Sequence, residues 1–434
     1  MLATDLRIAA RSLAQHTKRN LFLGAAIATV TALLVLMSGL TDGIRSAMLE
    51  SATTLMTGHV NVGGFYKITS GMSAPLVNDW RRVLEEAKRE VPELDFATVR
   101  VRGYAKVVGD SASMDMVLGG IDIAHEPGFR RVVQVKEGSL DELAQPNTML
   151  IFEEQAKRLG VKVGDALTLV APTSRGMNNT ADVRVAVVAR SVGLLSSFSA
   201  FMPAATLRKL YLLNEETTGA IHLYLKRPAA SAEVAARLRG GLARAGWRVM
   251  DADPQPYWQK FQRVASEDWT GQKLDVTTWE DELSFLNWIL KGLSGLTFLL
   301  VTILMVIVVV GIMNTLWIAI RERTREIGTL RAIGMQRRKV LWLFVLEAGL
   351  LGLLGTTAGA ALGWLVALAV NAAHVKVPDS VLMFLMQRSL TLSIQPRAVL
   401  LDVLLLTGVT TVFALFPALR AARLRPVTAM HHIG

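Results

Sequence analysis

Cysteine is absent from this chain of 434 residues, which excludes disulfides and thiolate metal sites and says little about compartment. A G-x-x-x-x-G-K-[ST] loop is also missing, so these residues hold no P-loop for ATP. No HExxH occurs, since His125-Glu126 is followed by Pro127 and Gly128, and no G-x-S-x-G elbow occurs either. The seven histidines are scattered, and the adjacent His431 and His432 would point to different sides of a helix. No catalytic residue, no metal ligand and no cofactor of its own is therefore assigned to this chain.

Charge is plentiful but unevenly placed. A net +11 could suit nucleic acid. Residues 44–285, however, hold 29 Lys and Arg against 29 Asp and Glu. The excess sits in three segments, +3 in 1–20, +5 in 321–339 and +3 in 420–434. Each flanks an apolar run, which is the positive-inside pattern of a membrane protein rather than a nucleic-acid stripe. All three segments are expected in the cytoplasm.

Hydrophobic residues make up 51% of the chain. Residues 292–320 form an uncharged run of 29, longer than the about 20 needed to cross a bilayer. Residues 321–339 follow with nine charges, and cannot lie in lipid when one central Arg costs roughly 2.5–3.5 kcal/mol. A further apolar run begins at once. Ile327, Leu330 and Ile333, three apart, make an apolar stripe on a short charged helix that could be offered to a soluble partner. A solvated connecting loop is the plainer alternative.

The stretch ERTREIGTLRAIG (322–334), after a spanning helix and with Glu347 in the next, resembles the signature of the MacB/FtsX superfamily (type VII) of ABC transporter permeases. GHV (58–60), VLGGID (117–122), KEGSL (136–140), EQAKRLGVKVGDALTLVAP (154–172) and RVAVVARSVG (184–193) resemble the periplasmic core domain of MacB and of lipoprotein-releasing Lol-type permeases, which are closest in layout. The resemblance implies a four-helix α-helical membrane protein with a large α+β extracytoplasmic domain, in the bacterial inner membrane. It implies that 321–339 is a coupling helix docking on a separate ABC ATPase dimer, which binds the ATP and Mg. Arg323, Arg325, Glu326 and Arg331 would then make charged contacts and Ile327, Leu330 and Ile333 apolar ones, with Gly334 among the coupling residues. It also implies a second permease subunit, identical or related, a periplasmic carrier or adaptor, and lipid around the spans.

In chain order, 1–20 is an amphipathic basic lead-in, with Leu6, Ala9, Ala10 and Leu13 on one face and Arg7, Arg11, Lys18 and Arg19 elsewhere. Residues 21–57 are the first span and a stalk. A cleavable signal peptide is the rival, against which stand the long apolar run and the missing A-x-A-like site. Ile44, Met48, Ala52 and Leu55 continue the helical period, and Leu283, Leu286, Leu290 and Leu293 repeat it within 281–320. A run of 29 residues at about 1.5 Å each measures roughly 43 Å, more than the ~30 Å lipid core. A two-helix stalk, or one kinked and tilted span, would absorb the surplus.

The outer domain, 58–280, reads as two αβ portions around a β-rich insert (113–212): strand, helix 77–91 and strand 96–108, then strand 220–226, helix 231–245 and a strand near 247–251. Asp110-Ser111 and Asn178-Asn179 look like turn tips, and Gly160 and Gly164-Asp165 like a helix end and turn. The loop 171–183 is either a partner contact or a plain hairpin tip. Spans follow at 340–373 and 398–419, joined by a short outer loop (374–397), and 420–434 is a cytoplasmic tail. Gly355, Gly359 and Gly363, four apart, form a helix-packing face toward a second subunit or another helix of this one. Glu347 should pair with Arg337, Arg338 or Lys339, or snorkel to the interface alone. The functions in contention are lipoprotein release, efflux of a drug or peptide, and FtsX-like control of a cell-wall hydrolase.

Overall fold

The computed structural model describes residues 2–15, 17–69, 72–173, 176–378 and 389–423, without the side chains of 2–6, 12, 19, 326 and 330. The expected tail tip with His431 and His432 lies outside the described residues. The chain forms two compact units, one of residues 46–289 with 377–388, the other of 1–45, 290–376 and 389–434. It opens with α1 (Leu2–Gln15) and α2 (Thr17–Leu55).

In the outer unit the described residues form one sheet of eleven strands. These are β1 (Val60–Thr69), β2 (Met72–Ala74), β3 (Leu94–Val108), β4 (Ser113–Ile121), β5 (Val135–Gly138), β6 (Thr148–Phe152), β7 (Ala166–Pro172), β8 (Asn178–Ala189), β9 (Ser199–Pro203), β10 (Ala220–Leu225) and β11 (Gly271–Thr278). Their order is β11-β1-β10-β3-β4-β9-β6-β8-β5, with β2 beside β1 and β7 beside β3 and β8. The helices of this unit are α3 (Trp80–Glu90), α4 (Phe129–Val132), α5 (Glu153–Leu159), α6 (Ala204–Tyr211), α7 (Ser231–Arg244), α8 (Phe261–Ser266) and α9 (Trp279–Glu282).

Strand β3 is shared between the expected αβ portions and the insert. Its residues 94–100 pair with β10, and 101–108 pair with β4. Two cores result. Val83 and Ala87 of α3 and Val234, Leu238 and Leu242 of α7, each at helical spacing, cover β1 and β10. Val101, Leu118, Met149, Val185 and Leu207 centre the other. The region 113–212 also contains α5 and α6, so it is mixed rather than all strand. Three local expectations are corrected. The helix begins at Trp80, not 77, because Val77 is held in a bridge to Thr218. Val249 makes a single bridge to Leu274 instead of a strand. Asn178 and Asn179 lie in β8, paired with Pro172 and Ala171, so they are strand residues and not a turn tip. Gly160 does end α5, with φ 71°, and Asp110-Ser111 does lie in the β3–β4 turn.

The membrane unit contains α10 (Ser284–Glu322), α11 (Thr324–Ala332), α12 (Arg337–Ala373) and α13 (Pro396–Ala422). Among the described residues four helices are long and apolar enough to span a bilayer, at 20–55, 284–322, 337–373 and 396–422. The three glycines of α12 face α2. A Cβ at Gly359 would lie 2.3 Å from the Ala28 carbonyl oxygen, at Gly355 2.9 Å from Ile27, and at Gly363 3.0 Å from the Ala32 carbonyl oxygen. Their missing side chains let two backbones meet within this one chain, which is how small residues hold helices together in lipid. Paired hydroxyls add to this: Thr41 with Thr297 at 2.8 Å joins α2 to α10, and Thr356 with Thr407 at 2.9 Å joins α12 to α13.

Gly359→Leu is expected to abolish the monodisperse detergent-solubilised protein, whereas Gly311→Leu, where a Cβ meets nothing within 4 Å, is expected to melt like the parent. Size-exclusion chromatography and thermal unfolding of both variants check this.

Candidate functional site

The charged link between the second and third spans folds into α11, and its inner face is set by a four-residue spacing: Arg323, Ile327, Arg331. Each of the three meets a different partner. Arg323, buried, donates from Nη1 to Glu347 of α12 at 3.1 Å. Ile327, buried, packs in a cluster with Ile320, Val340, Phe344 and Ala418. Arg331 donates from Nη1 to the Ala422 carbonyl at 3.2 Å, at the C-terminal end of α13. There the helix dipole favours a cation and the last carbonyls need donors. The N-terminal end of α11 is tied down as well, since Thr324 Oγ1 donates to the Ile320 carbonyl at 2.8 Å.

This geometry corrects two expectations. Glu347 pairs with Arg323, not with residues 337–339, which are exposed at the start of α12. A carboxylate buried at the inner end of a spanning helix needs a fixed partner, and Arg323 is held beside it. The apolar stripe does not face one way either. Ile327 is buried while Ile333 is 79% exposed. Arg323 and Ile327 are thus fasteners inside the chain, not surface contacts. The outer face carries Arg325, Thr329, Ala332 and Ile333, all exposed. Gly334 follows with φ 104°, a backbone conformation that glycine adopts without strain and that stops the helix. Glu326 and Leu330 lie on α11, but their side chains are outside the described residues. The signal that could have found the inner face is the 323-327-331 spacing taken with the acid at 347.

The stalk positions Ile44, Met48, Leu283, Leu286 and Leu290 are all buried. In the outer unit a second fastening holds the end of α2. Arg100, fully enclosed, donates to the carbonyls of Leu55 at 2.9 Å and Thr54 at 2.7 Å, and pairs through Nε and Nη2 with both oxygens of Glu126 at 2.6 and 2.7 Å. Tyr224 donates to the Thr53 and Thr57 carbonyls, 3.1 Å each. The last carbonyls of a long helix are thereby satisfied by side chains of the sheet. Burial disfavours the Arg100 cation, but the Glu126 charge outweighs it and holds the pKa above its usual value. Burial pushes the Tyr224 phenol up to about 12. The neighbouring His222 moves the other way, well below its ordinary value, through burial and the Arg100 and Arg102 charges.

Four apolar helices, a short charged helix fastened among their cytoplasmic ends, and a large α+β domain after the first of them define a transporter permease of the inner membrane with its large domain in the periplasm. The profile of the MacB-like periplasmic core domain matches residues 23–240, half of the chain, and that of the FtsX-like permease C-terminal region matches 298–426. The chain belongs to the MacB/FtsX superfamily of ABC transporter permeases. Its curated relatives include the macrolide export ATP-binding/permease protein MacB of Hyphomonas neptunium, 31% identical over 28% of this chain and 16% of that protein. The pyoverdine export ATP-binding/permease protein PvdT of Pseudomonas fluorescens is 36% identical over the same 28% and 16%. The match thus spans about a sixth of those relatives. The periplasmic region of MacB from Actinobacillus actinomycetemcomitans aligns at 13% identity over 44% of this chain and 88% of that one, with a TM-score of 0.28.

Removing one member of a buried ion pair costs about 3–5 kcal/mol. Glu347→Leu should therefore lower the thermal stability of the full chain, and the exchange Arg323→Glu with Glu347→Arg should restore part of it. A full-chain melting series compares them. His222 predicts an acid-sensitive outer unit. Its folded pKa lies below the unfolded value, so the unfolded state binds the extra proton as pH falls through about 6.5. Stability should drop by up to ~1.4 kcal/mol per pH unit below that point. Glu282 and Asp275, whose pKa values burial raises, act in the opposite sense at lower pH. His222→Gln should flatten the pH 7.5 to 5.5 slope of chemical unfolding monitored on the full chain.

Proposed function

We propose that this chain is the membrane subunit of an ABC exporter in which ATP is hydrolysed on a partner ATPase that docks on the outer face of α11. The observation that carries this reading is the two-sided character of α11. Arg323, Ile327 and Arg331 tie one face to α12, to an apolar cluster and to α13, while Arg325 and Ile333 on the other are exposed. A helix fastened in this way transmits a push instead of yielding to it. Two copies, or one with a related subunit, would face each other. Closure of the ATPases would move α11, and α2 and α10, each continuous over 39 residues, would carry that motion outward along the buried stalk positions.

For the cargo, the relatives named for macrolide and pyoverdine export support export of a small molecule. Extraction of lipoproteins for a periplasmic carrier is the second reading, supported by the Lol-type layout of the chain. The genes beside this one discriminate, an adaptor favouring the first and a lipoprotein carrier the second.

Arg325→Glu with Ile333→Asp should reduce stimulation of the partner ATPase and transport at least tenfold, with membrane insertion and melting temperature unchanged. Full coupling in that variant would remove α11 as the docking element. In a variant with Met48→Cys and Leu286→Cys, an oxidative crosslink is expected in this otherwise cysteine-free chain, and its absence under every condition would count against a two-helix stalk.

A further inference from the structure

The outer unit carries a half-open cavity of about 660 Å³. It falls within the roughly 300–1,000 Å³ typical of sites for drug-sized ligands. Its lining is aromatic, with Phe198, Tyr211, Tyr257 and Phe261 in the wall. At the rim Tyr104 is 58% and Trp258 53% exposed, large rings left uncovered. Met56, Leu283 and Phe285 complete the lining at the residues where α2 has just ended and α10 begins.

Two charged side chains, Arg102 and the buried Glu282, share the wall of this largely apolar space. The stem of Arg102 lies over Gly219, and its guanidinium stacks 4.2 Å above the Tyr257 ring. Its five N–H donors make no hydrogen bond among the described residues. The buried Glu282 and Asp275 lie close enough to feel the Arg102 charge, but their hydrogen bonds go to other groups. Glu282 accepts from Thr277 Oγ1 at 2.8 Å, and Asp275 accepts from Lys260 Nζ at 2.7 Å. A half-buried guanidinium with one face stacked and its edge unused is preorganised for a planar anion, which it binds with two parallel hydrogen bonds.

We infer that this cavity is a binding site for an amphiphilic carboxylate, its apolar or aromatic body among the rings and its carboxylate on Arg102. Arg102 reads the charge, and the aromatic wall supplies most of the buried area. The site is a property of the outer unit and needs neither ATP nor the coupling helix, so it stands or falls separately from the export reading.

The cysteine-free chain allows a direct test. Ser73→Cys, a near-isosteric change, places one thiol in the cavity wall, and Gln145→Cys places a control thiol on the exposed surface. Full-length protein in lipid nanodiscs is labelled with a maleimide in the presence of 1-pyrenebutyrate or its uncharged counterpart 1-pyrenebutanol. Saturable protection of the cavity thiol by pyrenebutyrate, at least tenfold in rate and without effect on the surface thiol, is the expected result. Adding Arg102→Met should raise the pyrenebutyrate concentration needed at least tenfold, and shift that of pyrenebutanol less than twofold, with an unchanged melting temperature. No protection of the cavity thiol by either compound, or equal protection of both thiols, would overturn the site. An Arg102→Met effect equal for the two compounds would overturn the carboxylate assignment. If Arg102→Met does not fold, Arg102→Lys substitutes for it, keeping the charge but losing the planar fork, with the same two compounds and the same criteria.

Discussion

A buried charge at the edge of a membrane cannot stand alone, and the Arg323–Glu347 pair follows from that constraint. The carboxylate belongs to a spanning helix and the guanidinium to the short helix beneath it, with both side chains less than a tenth exposed. Such a pair adds little net stability over a well-packed apolar one, but separating it leaves an uncompensated ion. Its effect is therefore geometric. It fixes where α11 begins, and with that fixed, Ile327 and Arg331 fall at four-residue steps onto the apolar cluster and onto the open carbonyls of α13. The exposed face of α11 is what remains.

The outer unit solves a related problem in a similar way. The end of α2 leaves carbonyls without intrahelical partners, and the enclosed Arg100 supplies two donors while Glu126 balances its charge. Strand β10, buried at every position, is covered on one side by α3 and α7, and through Tyr224 it also meets the end of α2. The cavity beside Arg102 borders the same chain segment, at Met56 and Thr57.

Much of this was legible in the linear pattern because lipid is a strict solvent. Uncharged runs must cross it and basic segments must stay inside, so the four spans and the charged link were readable, with boundaries shifted by a few residues. The glycine spacing of α12 announced a close contact, but not that its partner would be α2 of the same chain. In the outer unit the elements were mostly visible and their assembly was not. β3 looks like one more strand, and only pairing reveals that its two halves serve two cores. The apolar stripe of the charged link misled because spacing by three and spacing by four coexist in one short helix, and hydropathy alone ranks Ile333 with Ile327.

By itself the sequence determined the membrane topology, the family and the position of the charged link between the second and third spans, since these depend on hydrophobicity, charge and a contiguous motif, all local in the chain. Tertiary structure alone decided which side of α11 is fastened, which acid Arg323 meets, which helix the glycines approach, and that an aromatic cavity with a guanidinium stacked on Tyr257 exists in the outer unit. Those are matters of residues tens to hundreds of positions apart. Their encounter is fixed by packing and by the need to pair buried polar groups, and neither can be read along a line.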